Sequence, residues 1–127
     1  MAVVIWNEEV SYQLQEHLRY AKEEFGASTV RKWLKQIDYF VDSLQKYPTS
    51  YTPVRELNHC KVLYRGCTIM KNFKLIYFYD EPIDTVFIEH IWDMRQNPIR
   101  LVKMFSNLKR SPLVKVFVKI LPFFLLH

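Results

Sequence analysis

The spacing of apolar residues changes period several times along the chain, and each change marks an element. Ala2 to Trp6 is a short β-branched, apolar run that predicts a strand. It ends at Asn7-Glu8-Glu9, a capping residue followed by acids suited to a helix N-terminus. Val10, Leu14, Leu18, Ala21 and Phe25 then recur at spacings of three and four, one apolar stripe, with Gly26 placed as the C-terminal cap. Ser28 is expected to cap a second helix whose stripe is Val30, Trp33, Leu34, Ile37, Phe40, Val41 and Leu44, closed by Pro48. So short a turn predicts an antiparallel helical hairpin.

After a polar stretch around Pro53 the period shifts to two. Lys61 to Met70 reads as a strand with a bulge expected at Gly66, Lys71-Asn72 as a hairpin tip, and Phe73 to Asp80 as the next strand. Glu81-Pro82 turns the chain into Thr85 to Trp92, a further strand rich in β-branched and aromatic residues. The fold class is therefore α+β: an N-terminal strand, then an antiparallel helical hairpin forming one layer on a mainly antiparallel sheet. Residues 1–105 are read as the domain and 106–127 as a C-terminal extension, not a separate domain. Asn97 and Pro98 predict the start of a short helix through Ile99, Val102, Phe105 and Leu108 that runs up to and into that extension. Leu113 to Leu121 alternates like a strand.

Composition narrows the class. A chain of 127 residues supports one core, and a half-hydrophobic, glycine-poor composition excludes a disordered linker. Charge is unevenly spread. Leu57 to Tyr79 carries no acid but has Lys61, Arg65, Lys71 and Lys74; beyond Asp93 only basic charges follow. With only Gly26 and Gly66 there is no phosphate-cradling loop, and Asp80, Glu81 and Asp84 read as a solvated turn without a histidine to complete a ligand set. Neither a metal nor a cofactor is expected. Cys60 and Cys67 read as two reduced thiols, with a hairpin disulfide as the alternative. MAVVIW lacks the basic region and long apolar run of a signal peptide, so a cytoplasmic location is expected. Residues 113–127 hold two lysines and a proline and fall short of the ~20 apolar residues of a spanning helix, so stable membrane insertion is not expected.

Several pieces occur in a telling order: a helical hairpin ending at Tyr47-Pro48, then Tyr64-Arg65, then Lys74-Leu75-Ile76-Tyr77, and last Ile91-Trp92-Asp93-Met94-Arg95-Gln96-Asn97-Pro98. Together they resemble the RelE/ParE superfamily of toxins from bacterial type II toxin-antitoxin systems, in particular its ParE-like, plasmid-stabilisation branch. The resemblance implies a growth-inhibiting toxin neutralised by a cognate antitoxin. It also implies that the last strand brings a basic residue, here Arg95, beside basic residues of the middle strands.

RelE-type members cleave ribosome-bound mRNA without a metal, which needs a stabilised phosphorane and a proton donor. On that reading Arg65, Lys74 and Arg95 contact phosphate or target, and His90 exchanges a proton. Lys61, Lys71, Tyr77 and Tyr79 bind nucleic acid or partner, the tyrosines by stacking. Each has a plainer reading. Arg65 and Lys74 sit on a half-exposed sheet face, Tyr77 and Tyr79 share a strand face with Phe73 and Leu75, and His90 alternates with Val86, Ile88 and Trp92 as a buried residue would. Leu63 stands where a second nuclease lysine belongs, Met94 precedes Arg95, and no C-terminal active-site tyrosine is evident. These departures favour the ParE-like alternative, a toxin that binds DNA gyrase, over a ribonuclease; an inactive antitoxin-binding relative is the third class. The basic run from Lys61 to Lys74 is expected to receive an acidic antitoxin segment. Residues 112–127 are expected to add to a sheet edge or to lie on exposed apolar surface, in the same protomer or in a homodimer partner.

Overall fold

A computed structural model describes residues 1–108 and 117–118. The chain begins with β1 (Val3–Asn7), followed by the helical hairpin α1 (Glu8–Phe25) and α2 (Ala27–Lys46). Next come β2 (Tyr64–Ile69), β3 (Phe73–Asp80), β4 (Thr85–Asp93), the helix α3 (Pro98–Leu108) and the short β5 (Phe117–Val118). The sheet order is β2-β3-β4-β1-β5, antiparallel throughout except for the parallel β1–β4 pair.

Local chemistry explains where the elements start and stop. The Asn7 side chain accepts a hydrogen bond from the Glu9 amide at 2.9 Å, capping α1, and Glu8 and Glu9 complement its dipole. Gly26 has φ of +89°, a value glycine adopts without Cβ strain, and both ends α1 and precedes α2. The predicted Ser28 cap is not formed. Helix α2 already begins at Ala27, with Gly26 at the cap position and no side-chain cap, because the left-handed glycine alone reverses the chain.

The hairpin lies on one face of the sheet. Leu14, Leu18, Ile37, Phe40 and Leu44 meet Leu75, Tyr77, Val86 and Ile88 there, while Phe25, read as part of the stripe, is exposed. A second apolar layer covers the opposite face. Val54, Leu57, Leu101 and Phe105 from the 3-10 turn Arg55–Leu57 and from α3 pack on Tyr64, Ile76 and Trp92. The buried stripe of α3 is thus Leu101 and Phe105, and Ile99 is exposed. Asn97 does cap this helix, accepting from the Ile99 amide at 3.1 Å.

The expected bulge at Gly66 is absent, since β2 and β3 pair without interruption from Tyr64↔Phe78 to Ile69↔Phe73. Gly66 serves close approach instead: a Cβ there would stand 2.7 Å from Lys74 Cδ and 3.1 Å from Val54 Cγ2. The irregularity lies in β4. Tyr77 pairs with Ile88 but Ile76 with His90, leaving Glu89 as the extra residue. That one residue reverses the facing of everything after it. Val86, Ile88, Ile91 and Asp93 share the hairpin face, whereas Phe87, His90 and Trp92 turn to the α3 face.

At the β2–β3 tip Met70 and Lys71 both have positive φ, 50° and 71°, as a tight turn matched to strand twist demands. The tip is held by Gln36, whose side chain accepts from the Met70 amide at 3.0 Å, and by a 2.8 Å bond from the Met94 amide to the Asn72 carbonyl. β5 pairs within the same chain, antiparallel to β1, through Trp6↔Val118 and Asn7↔Phe117. The rest of the alternating run from Leu113 to Leu121, and the apolar end, lie outside the described residues.

Candidate functional site

The sheet divides the basic residues rather than gathering them. Arg65 pairs with Tyr77 across β2–β3 and so faces the helical hairpin, while Lys74 pairs with Thr68 and Trp92 and faces α3. Arg95 follows the end of β4 at a third place. His90 is on the α3 face with Lys74, but α3 packs over it, its Phe105 ring edge-on at 5.8 Å.

Arg65 is built into the hairpin-side core. Its Nη1 donates to the Tyr51 carbonyl at 2.8 Å, and Tyr51 packs edge-on against Phe40 and Tyr77 at 5.1 and 6.3 Å. Tyr77 is fully buried, and its hydroxyl donates to the Pro48 carbonyl at 2.9 Å. Burial pushes its phenol well above the usual range, and the Arg65 charge opposes that shift. Tyr77 is therefore a packing residue that ties the loop after α2 to the sheet.

Lys74 lies with its stem over Gly66 and beside Val54, its length covering apolar surface. Arg65→Ala is expected to lower stability by about 1–2 kcal/mol, the loss of a charged hydrogen bond at a half-buried site. Lys74→Ala should leave the melting temperature within a degree or two, so thermal denaturation of the two variants separates structural from surface roles.

The end of β4 carries the most organised polar group. Asp93 accepts from Arg95 Nε at 2.9 Å and Nη2 at 2.8 Å, and its Oδ1 also accepts from the Arg95 amide at 3.0 Å. The guanidinium stands 5.8 Å from the Phe73 ring centre, and His17 of α1 packs on the same ring at 4.3 Å. Bonding to Arg95 holds the Asp93 carboxyl below the ordinary carboxylate range. Burial lowers the His17 pKa, with the Asp93 charge opposing. An imidazole that is harder to protonate folded than unfolded makes the unfolded chain the better proton binder, so this group's contribution falls as pH drops through about 6.5.

The remaining candidates are scattered. Lys61 lies in the loop before β2 and Lys71 in the β2–β3 turn, both exposed. Tyr79 donates to Asp84 Oδ1 at 2.7 Å, which pushes its phenol up to about 12. Tyr64 donates to Glu89 Oε2 at 3.0 Å, so the bulge residue anchors to β2. Among the described residues no three histidines, cysteines or acids group as a metal site. Cys60 and Cys67 pack on opposite faces of the sheet and no disulfide joins them; burial raises the Cys67 thiol to about 11. No helix of the described residues is long and apolar enough to cross a membrane.

Two members of this arrangement escape a reading by residue type. His17, unremarkable in sequence, meets the end of β4 only because α1 packs across it. Asp93, two residues before Arg95 where β4 gives way to a turn, has a legible signal: an aspartate side chain at a turn accepts from the amide two residues on, which brings Arg95 back to it.

A family model described as the ParE toxin of type II toxin-antitoxin system, parDE, matches residues 4–98. No curated protein and no solved structure matches the chain. The matched segment runs from β1 through the capping residues of α3, so it includes Arg65, Lys74, Asp93 and Arg95.

Proposed function

Because the chain belongs to the ParE toxin family of type II toxin-antitoxin systems, with an antitoxin as its partner, we propose that it arrests growth by binding a protein target, DNA gyrase, rather than by cutting RNA. The observation that carries this reading is the dispersal of Arg65, Lys74 and Arg95. Metal-free cleavage of an RNA phosphodiester needs a charge stabiliser and a proton donor within hydrogen-bond reach of one phosphate. Here Arg65 and Lys74 face opposite sides of the sheet, and α3 covers the side that holds His90.

A binding toxin has different requirements. Fixed, exposed side chains on a rigid scaffold suffice, and the Asp93–Arg95 pair over Phe73 has that form. Met94, beside it, adds an exposed apolar contact. Lys61, Lys71 and Tyr79 supply further exposed or half-exposed groups for target or antitoxin, with the proposed site of action in the cytoplasm.

Induced expression is expected to arrest growth with DNA breaks and intact messenger RNA. Arg95→Ala should weaken arrest at least tenfold in the inducer needed, without loss of folded protein. Codon-spaced RNA cuts that vanish in Arg65→Ala with Lys74→Ala would instead establish the ribonuclease. No arrest from a soluble, folded chain would establish a relative that only binds antitoxin.

A further inference from the structure

The two cysteines sit in different chemical surroundings. Cys67 is on the hairpin side of the sheet, where its thiol donates to the Thr68 carbonyl at 3.7 Å and burial raises it to about 11. Such a thiol is a poor nucleophile. Cys60 lies on the other side, half-buried at the margin of the layer that Val54, Leu57 and Phe105 build. Its loop is fixed from within: the Cys60 amide donates to the Leu57 carbonyl at 3.1 Å and the Asn58 amide to the Arg55 carbonyl at 3.2 Å.

Three distances account for the protons around Cys60. Ser106 Oγ donates to the Val102 carbonyl at 2.8 Å, which commits its one proton. Its contact with His59 Nε2 at 3.3 Å must then run the other way, with Nε2 as the donor. The same Nε2 stands 3.7 Å from Cys60 Sγ. A ring N–H facing a sulfur favours the thiolate over the thiol.

The sulfur borders a cavity of about 410 Å³, a size that suits a small molecule. Arg55 and Lys61, both exposed, stand on its wall, and its lining among the described residues includes no acid. Val54, Val62 and Leu63 supply apolar surface beside them. We propose that Cys60 is a thiolation site for anionic low-molecular-weight disulfides, with Arg55 and Lys61 receiving their carboxylates and His59 as the positioning residue.

The chemistry is thiol–disulfide exchange. Cys60 gives its proton to solvent, its sulfur attacks one sulfur of the disulfide, a new S–S bond forms as the old one breaks, and the departing thiolate takes up a proton. Cys60 is oxidised, the departing half is reduced, and no further oxidant is consumed. A reducing thiol reverses the adduct. The site is on the opposite face of the sheet from Asp93, and the inference does not depend on which target the toxin binds.

The test incubates the full-length chain with oxidised glutathione near neutral pH and follows each cysteine by peptide mass mapping. The expected result is one adduct, on Cys60, formed about tenfold faster than on Cys67 and about tenfold faster than on Cys60 of the urea-unfolded chain. Dithiothreitol should remove it. Hydroxyethyl disulfide, a neutral probe, should show a smaller acceleration on folding. Arg55→Ala with Lys61→Ala should abolish the preference for the anion while leaving the neutral rate within about twofold. His59→Ala should slow both probes and move the pH–rate profile to higher pH, a shift that a purely structural role would not produce. Because Arg55, His59 and Lys61 are exposed, these variants are expected to fold, which circular dichroism checks; the unaltered chain with its two probes carries the test if one does not. Equal rates at the two cysteines, a Cys60 rate no greater than in the unfolded chain, or equal acceleration with both probes would each overturn the proposal. An unchanged pH profile in His59→Ala would overturn the role given to that residue.

Discussion

Phe40→Ala is expected to destabilise the protein by about 3–5 kcal/mol, the range for deleting a fully buried ring. Phe40 is 1% exposed and stands between α2 and the sheet, edge-on to Tyr51 at 5.1 Å and to Tyr77 at 6.0 Å. Removing it opens a cavity and also loosens the partner that Arg65 holds, since the Arg65 guanidinium bonds the Tyr51 carbonyl. The loss should therefore exceed that of an isolated aliphatic truncation such as Val86→Ala on the same face. Urea denaturation of both variants measures the difference. A loss below about 1 kcal/mol for Phe40→Ala would mean that the aromatic cluster does not form as described.

Phe105→Ala is expected to cost a similar amount, about 3–4 kcal/mol, on the other side of the sheet. Its ring packs edge-on against Tyr64 at 4.8 Å and His90 at 5.8 Å, and with Leu101 it is the buried contact of α3. The functional consequence separates two views of α3. As a structural cover, its loosening lowers the melting temperature, but arrest persists in proportion to the folded fraction at low temperature. As a cover over a reactive surface holding Lys74 and His90, its loosening would bring RNA cleavage into view. Following growth and messenger RNA at two temperatures distinguishes these outcomes, and appearance of RNA cuts would count against the binding toxin proposed above.

On the proposed binding function, the rim at Asp93 and Arg95 bears on specificity more than on stability. An exposed pair of this kind contributes little to folding, because salt and water screen it. Holding Arg95 to Asp93 by two side-chain bonds instead limits the freedom the guanidinium would lose on binding a partner. The same pairing offsets part of its charge. The remaining donors and the exposed Met94 and Tyr20 nearby suit a protein surface with both apolar and acidic groups.

By itself the sequence determined the elements and their order. The three-and-four spacing of Val10, Leu14 and Leu18, the Asn7 cap, Gly26 and the β-branched strands each reflect a local rule, acting within a few residues, and the structure places them accordingly. It also carried the family, because the motifs from Tyr47-Pro48 to Ile91–Pro98 lie in chain order.

Only the tertiary structure decided which residues stand together. Strict alternation puts His90 and Trp92 with Val86 and Ile88, yet one extra residue, Glu89, turns them to the opposite face. Alternation cannot reveal where a bulge falls, because the choice depends on what both faces must bury and on the Tyr64 hydroxyl that bonds Glu89 from another strand. The same holds for Gly66, whose missing Cβ makes room for Lys74 and Val54 from two other segments. It holds for His17, carried against Phe73 by a helix that crosses the sheet, and for α3, whose second layer depends on Leu101 and Phe105 finding the face that Trp92 presents. Local periodicity encodes the elements; the register between them, set by packing on both sides of the sheet, assigns each charged residue its face.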